Sequence, residues 1–156
     1  MKDILKDFLE EGEILFESMP VDFFPDPSGT KNSDGILPVL YAKWAYSRGL
    51  MSFDNDELRK SLSKNGNFQE KLKVVRKILG NELLPSHFTR EGFIFTRKYY
   101  NPGWKHLYFT DFGSAFPNYE SFEDIPDTQE NYHLIESFLD QRFNEWRSEE
   151  PEGKKL

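Results

Sequence analysis

Apolar residues recur every three or four positions along most of the chain, which is the spacing of one face of an α-helix. The pattern is clearest in ENYHLIESFLDQRFNEWRS (130–148). We predict the buried stripe of this helix to be Tyr132, Ile135, Leu139, Phe143 and Trp146. The same spacing predicts helices over 3–18, 36–49, 54–64 and 67–79.

Residues 86–116 are ambiguous. If the segment is helical, one face of the helix carries Phe88, Gly92, Phe95 and Tyr99. If the segment is a strand, one face of the strand carries Phe93, Phe95, Arg97 and Tyr99. The sequence NPGW (101–104) is a strong turn signal, so a β-hairpin at 92–112 is an alternative to two helices. We favour the helices, and the expected fold is a mainly α, single-domain bundle of about six helices.

The 156 residues suit one domain, 1–156, with one hydrophobic core. Stretches rich in Pro, Gly, Ser and Asp predict loops at 20–35 and 117–128, and the polar residues 147–156 predict a flexible tail. Asp127 followed by Glu130 has the spacing of a capping box, which predicts that Asp127 caps the last helix.

Composition narrows the class of protein. With 15 Phe, 7 Tyr and 3 Trp, aromatic side chains are expected to supply most of the core. The absence of cysteine excludes disulfides, a thiolate nucleophile and thiolate-ligated zinc, and it fits a reducing compartment. No apolar run approaches the length of a membrane span, and charges interrupt the N-terminal apolar groups, so we expect a cytoplasmic protein without membrane contact.

Charge is distributed unevenly within the overall net charge of −7. Residues 1–26 carry a net charge of −6 and residues 120–152 carry −9, whereas residues 27–119 carry +6. The simplest account is that the basic middle segment neutralises the two acidic terminal segments within one fold. The functional alternative is an acidic face built from both ends, which would attract a basic partner.

Motifs for known chemistry are missing. His87, His106 and His133 do not have the helical spacing of zinc peptidases, and no glycine pair has the spacing of a phosphate loop. The acidic residues at 123–127 lack the alternation of a calcium loop. We therefore expect no metal and no cofactor. The basic helices at 59–77 could touch phosphates, but the chain is acidic overall, and we expect no nucleic-acid binding.

One set of residues could form a polar pocket. Asp111 lies close in sequence to Tyr99, Tyr100 and Tyr108, and a carboxylate among tyrosines could act as a general acid or base. The alternative, which we favour, is a buried carboxylate satisfied by tyrosine hydroxyls.

Four segments resemble a family of small bacterial proteins of uncharacterised function: AKWAYSRGLMS, FTREGFIFTRKYY, YFTDF and DTQENYHLIESFLDQRFNEWR. The closing helix of that family has an E-N-Y…R-F-x-x-W pattern. The matching positions are Trp44, Gly49, Leu50, Ser52, Glu91, Gly92, Phe95, Tyr99, Tyr100, Tyr108, Asp111, Glu130, Asn131, Tyr132, Arg142, Phe143 and Trp146. The resemblance covers about two thirds of the chain, from 36 to 147, and it implies helices at 86–100 but no catalytic residues.

By analogy with small, acidic, cysteine-free proteins of bacterial toxin systems, we expect an immunity-type protein without enzymatic activity. It would inhibit a cognate toxin, in particular a nuclease domain, by covering it with an acidic surface. The predicted partner-binding residues are Tyr119, Glu120, Phe122, Glu123, Asp124, Asp127, Glu136, Asp140 and Glu145. The alternatives are an enzyme with the tyrosine and aspartate pocket and a regulatory interaction domain.

Overall fold

The computed structural model describes residues 20–25, 35–64, 66, 68–100 and 107–149. The predicted helix at 3–18 lies outside these residues, as does the 150–156 part of the predicted tail. Within the described ranges, six α-helices account for most of the structure, which confirms the mainly α prediction. The helices are α1 (Ile36–Ser47), α2 (Asp56–Ser63), α3 (Phe68–Leu79), α4 (Arg90–Tyr99), α5 (Leu107–Ala115) and α6 (Gln129–Glu149).

A two-stranded antiparallel sheet joins the start of the described chain to the segment after α3. Strand β1 (Asp22–Phe23) pairs with β2 (Glu82–Leu83), so that Asp22 faces Leu83 and Phe23 faces Glu82. Two short 3₁₀ turns, Pro85–His87 and Phe122–Asp124, precede α4 and α6. None of the described helices is long and apolar enough to cross a membrane.

The ambiguous region is helical on both sides of residues 101–106, which are not among those described. Thr89 begins α4, because its side-chain oxygen accepts a hydrogen bond from the Gly92 amide at 3.1 Å. The helices α4 and α5 occupy the positions of the alternative hairpin at 92–112, and the sheet lies elsewhere in the chain.

Helix α1 is the centre of the molecule. All of its residues from Ile36 to Ala45 are buried, as expected of a helix that is surrounded by other elements. It contacts α2 and α6, and α6 also packs against α4 and α5. Trp44 lies in the middle, with ring centroids of Phe95 and Phe143 each 5.7 Å away. The helix ends before Gly49, whose φ of 72° is the left-handed conformation that glycine adopts most readily.

The long helix α6 begins differently from the prediction. The Asn131 amide donates to the side-chain oxygen of Thr128 at 3.1 Å, so Thr128 is the capping residue and the predicted capping box of Asp127 and Glu130 is wrong. The side chain of Asp127 instead bonds Lys71. Helix α6 also continues to Glu149, so the first residues of the predicted tail are helical.

Candidate functional site: an aromatic and acidic surface patch

The four residues of the predicted pocket lie in the core. Tyr99, Tyr100, Tyr108 and Asp111 are all buried. Tyr99 donates a hydrogen bond to Asp111 Oδ2 at 2.7 Å, and Tyr108 donates to the Leu37 carbonyl oxygen at 2.7 Å. Burial, followed by the hydrogen bond to Asp111, raises the pKa of Tyr99 above its usual value. The four side chains are thus packed in the core, and Asp111 is a buried carboxylate that accepts a hydrogen bond from Tyr99.

Arg142 completes this buried network. Its Nε donates to Asp111 Oδ2 at 2.9 Å and its Nη2 donates to Oδ1 at 3.0 Å. Tyr100 donates to the carboxylate of Asp22, which fixes β1 against α4. Near Tyr99 and Arg142 the surface has only a shallow cleft of about 200 Å³. This group of residues connects helices and does not enclose a substrate-sized space.

Two of the predicted partner-binding carboxylates bond Arg48, the residue after α1. Arg48 Nη2 donates to Asp140 Oδ2 at 2.7 Å and to Glu136 Oε2 at 2.9 Å. Trp44 Nε1 donates to Asp140 Oδ1 at 2.8 Å. Desolvation alone would raise the pKa of Asp140, but the hydrogen bonds from Arg48 and Trp44 outweigh it and lower that pKa. Both carboxylates were predicted to bind a partner, but in the structure they are engaged within the chain, where they hold α6 against α1.

Asp127 and Glu145 also have partners within the chain. The Asp127 carboxylate accepts from Lys71 Nζ at 2.5 Å, and both side chains are almost completely buried. Glu145 accepts from Gln141 at 3.0 Å and lies 3.7 Å from Arg142. Among the described residues, three of the predicted partner-binding carboxylates, Asp127, Glu136 and Asp140, thus pair with Lys71 and Arg48 of the basic middle of the chain. These pairs are of the kind that the simplest account of the charge pattern proposed.

Next to the buried pair lies a second lysine. Lys43 Nζ is 4.1 Å from the centroid of the Tyr132 ring, and it has no hydrogen-bond acceptor among the described residues. Desolvation lowers the pKa of Lys43, and the charge of Lys71 lowers it further.

The remaining predicted residues come together at the surface beside α5. The ring centroids of Tyr119 and Phe116 are 6.3 Å apart. The ring centroids of Phe116 and Phe112 are 5.1 Å apart. Phe122 lies 5.0 Å from Phe112 and 5.1 Å from Phe109. The inner rings are part of the core, but the outer ones reach the solvent. Phe109 is 56% exposed and Tyr119 is 37% exposed.

Two carboxylates lie close to these rings in the sequence. Glu120 and Asp124 are exposed, and neither forms an ion pair within the part of the chain that the structure describes. Glu123 lies in the same 3₁₀ turn as Phe122 and Asp124, but its side chain is not among those described. We define the aromatic–acidic patch as Phe109, Tyr119, Glu120, Phe122 and Asp124. It retains four of the predicted partner-binding residues.

Phe109 was not predicted. The signal was in the sequence, because Tyr108, Asp111 and Phe112 have the spacing of a buried helical face. Phe109 is displaced from that face by about one quarter of a helical turn, so it points toward the surface. An exposed phenylalanine beside other aromatic rings is a more informative feature than one that is isolated.

A broad cleft of about 700 Å³ lies between α2 and α3. Lys60, Lys64 and Lys71 line it together with Glu57 and Glu70. The two carboxylates bond Lys77 and Lys73, at 2.9 and 3.0 Å. This mixture of charges favours no particular class of ligand. In the described residues, no group of three or more His, Asp or Glu is arranged to hold a metal ion.

No family model matches the chain, and no curated protein or solved structure matches it at a significant level. The resemblance to a small bacterial family stays a prediction.

Proposed function

We propose that this chain is an immunity-type binding protein that inhibits a cognate bacterial toxin domain through the aromatic–acidic patch. One observation carries the proposal: the exposed rings of Phe109 and Tyr119 belong to one cluster of aromatic contacts, and the exposed residues Glu120 and Asp124 follow closely in the chain after Tyr119 and Phe122. The patch combines apolar and charged residues, as many protein interfaces do.

The two kinds of residue would have different roles. Buried aromatic anchors usually contribute most of the affinity of an interface, so Phe109 and Tyr119 would provide the binding energy. Charges at the margin mainly accelerate association and select the partner. With a chain net charge of −7, the patch suits a basic partner.

A nuclease domain fits this description, because a site that binds the phosphates of nucleic acid is rich in Lys and Arg. An acidic protein bound over that site would exclude the substrate. Glu136 and Asp140 would not take part, since Arg48 already engages them within the chain. The proposed surface is thus limited to the patch and differs from the broad acidic face predicted from sequence.

The proposal predicts that a toxin domain is encoded beside this chain's gene, and the test is growth rescue by co-expression with that domain. The wild-type chain should restore growth, and the double variant Phe109→Ala/Tyr119→Ala should fail to do so. The matched control is Leu134→Ala, which removes another exposed apolar side chain, 49% exposed, on α6. We expect this control to rescue as well as the wild type.

Circular dichroism should give the same helical signal for all three proteins, so that loss of rescue cannot be attributed to unfolding. Rescue by the double variant would show that the patch is not the binding surface. Failure of the wild-type chain to protect against the neighbouring toxin would eliminate the proposed function itself.

A further inference from the structure

A small cavity of about 190 Å³ adjoins the aromatic–acidic patch. It is lined by Ile36, Phe68, Phe122, Asp124, Ile125, Pro126 and Asp127. Sites for drug-sized molecules usually measure roughly 300–1,000 Å³, so this cavity suits a single side chain better than a metabolite. Phe122 and Asp124 belong to both the patch and the cavity, so a protein docked on the patch would cover the cavity mouth.

Asp127 gives the cavity a chemical preference. Its side chain is 3% exposed, and its Oδ2 accepts the hydrogen bond from Lys71. Its Oδ1 is buried and accepts no hydrogen bond within the described part of the chain. A buried carboxylate oxygen usually has a donor, so Oδ1 is suited to accept a hydrogen bond from a group that enters the cavity. The occupant of the cavity should therefore carry hydrogen-bond donors.

The other residues that line the cavity indicate which kind of hydrogen-bond donor fits best. Phe68 and Phe122 provide aromatic rings, and Asp124 adds an exposed carboxylate. A guanidinium group is planar, stacks on aromatic rings and presents several N–H donors in a fixed arrangement. A lysine ammonium is a compact, strongly hydrated charge, which is less suited to a small cavity whose Asp127 already pairs with Lys71.

We infer that this cavity receives one arginine side chain of the partner, with the guanidinium donating to Asp127 Oδ1 and to the Asp124 carboxylate. The inference is based on the proposed function, because docking on the patch brings the arginine to the cavity. The inference goes beyond the proposed function because it identifies one contact residue of the partner as arginine. The charge of the patch alone does not specify that residue.

The test uses a model peptide and needs no toxin. The full chain, labelled with ¹⁵N, is titrated with acetyl-Gly-Arg-Gly-amide while amide chemical shifts are recorded. We expect saturating shifts at Phe122, Ile125 and Asp127. The same peptide with citrulline, which keeps the shape but lacks the charge, should bind at least about tenfold more weakly, because hydrogen bonds between charged groups are the strong ones.

Asp124→Asn is the informative variant, since this exposed residue can lose its charge without disturbing the buried pair of Asp127 and Lys71. It should weaken binding of the arginine peptide severalfold, whereas the matched control Asp56→Asn on α2 should leave binding unchanged. A lysine peptide should bind more weakly than the arginine peptide.

Absence of shifts at the cavity residues, or equal binding of the citrulline peptide, would overturn the arginine pocket. Either result could occur while the patch double variant still loses growth rescue, so the proposed function would survive. Peptide binding together with failed rescue by the wild-type chain would instead support the pocket and reject the toxin proposal.

Discussion

Arg142 on α6 holds the buried carboxylate of Asp111 on α5 with two hydrogen bonds, of 2.9 and 3.0 Å. Tyr99 on α4 donates to the same carboxylate at 2.7 Å. One carboxylate thus joins three helices, and its negative charge has a single cationic partner among the described residues.

Replacing Arg142 should be strongly destabilising. Arg142→Met leaves the Asp111 carboxylate buried without its counter-charge. Breaking a fully buried pair costs about 3–5 kcal/mol, and because Arg142 is partly exposed we expect a loss of about 2–4 kcal/mol. Urea denaturation gives the free energy of unfolding. The matched control is Arg147→Met, whose exposed pair with Glu91 at 3.4 Å should contribute less than about 1 kcal/mol. Equal losses for the two variants would contradict the central role of Asp111.

Two helical glycines should respond in opposite ways to alanine. A Cβ atom at Gly92 would lie 2.5 Å from the Leu50 carbonyl oxygen, so α4 would have to move away from that segment. We expect Gly92→Ala to lower the melting temperature. A Cβ atom at Gly113 on α5 meets nothing within 4 Å, so Gly113→Ala should stabilise the protein by up to about 1 kcal/mol through helix propensity. Stabilisation by both substitutions would show that α4 does not approach Leu50 so closely.

Lys43→Met should increase stability. The Lys43 ammonium is buried without an acceptor, and its removal should raise the free energy of unfolding by about 1–2 kcal/mol at neutral pH. Because burial lowers the pKa of Lys43, the charged form is the one penalised in the folded state. The advantage of the variant should therefore shrink as the pH rises toward about 10.4, the usual lysine pKa. A less stable variant would mean that the ammonium has a bound acceptor, such as an ordered water.

Asp140→Asn should remove one source of acid sensitivity. The lowered pKa of Asp140 means that its contribution is complete above the unfolded pKa, about 3.9, and is lost as the pH falls through the folded value. The variant should be less stable at pH 7 by no more than about 1 kcal/mol, since Arg48 and Asp140 are partly exposed. The difference should narrow at pH 3 in urea titrations. If the difference in stability between the variant and the wild type did not depend on pH, the negative charge of Asp140 would not contribute to its interaction with Arg48.

Helix positions were largely predictable from periodicity. The predictions for α1, α2, α3 and α6 match the structure to within about two residues, because each has an amphipathic or apolar pattern and a clear stop. The region 86–116 was harder, since its aromatic residues satisfy the spacing of a helix and of a strand. The Thr89 cap on Gly92 was the local signal that favours a helix there.

The functional residues were less predictable, because pairing depends on contacts between distant parts of the chain. Arg48 is separated from Glu136 by 88 positions and from Asp140 by 92. Lys71 is separated from Asp127 by 56. A count of charges locates an acidic segment but does not reveal which carboxylates are already bound. Tyr119, Glu120, Phe122 and Asp124 stay candidates because the fold leaves them at the surface.

Because α1 is covered on every side from Ile36 to Ala45, no neighbouring helix can detach without uncovering part of its apolar surface. Partly opened forms are therefore high in energy, and the backbone amides of this helix should exchange with deuterium only when the whole molecule unfolds. Their protection then reports the global stability of the protein. Substitutions in α1 should therefore be the least tolerated in this domain. The residues of the aromatic–acidic patch lie at the surface and can change with the partner while α1 stays unchanged.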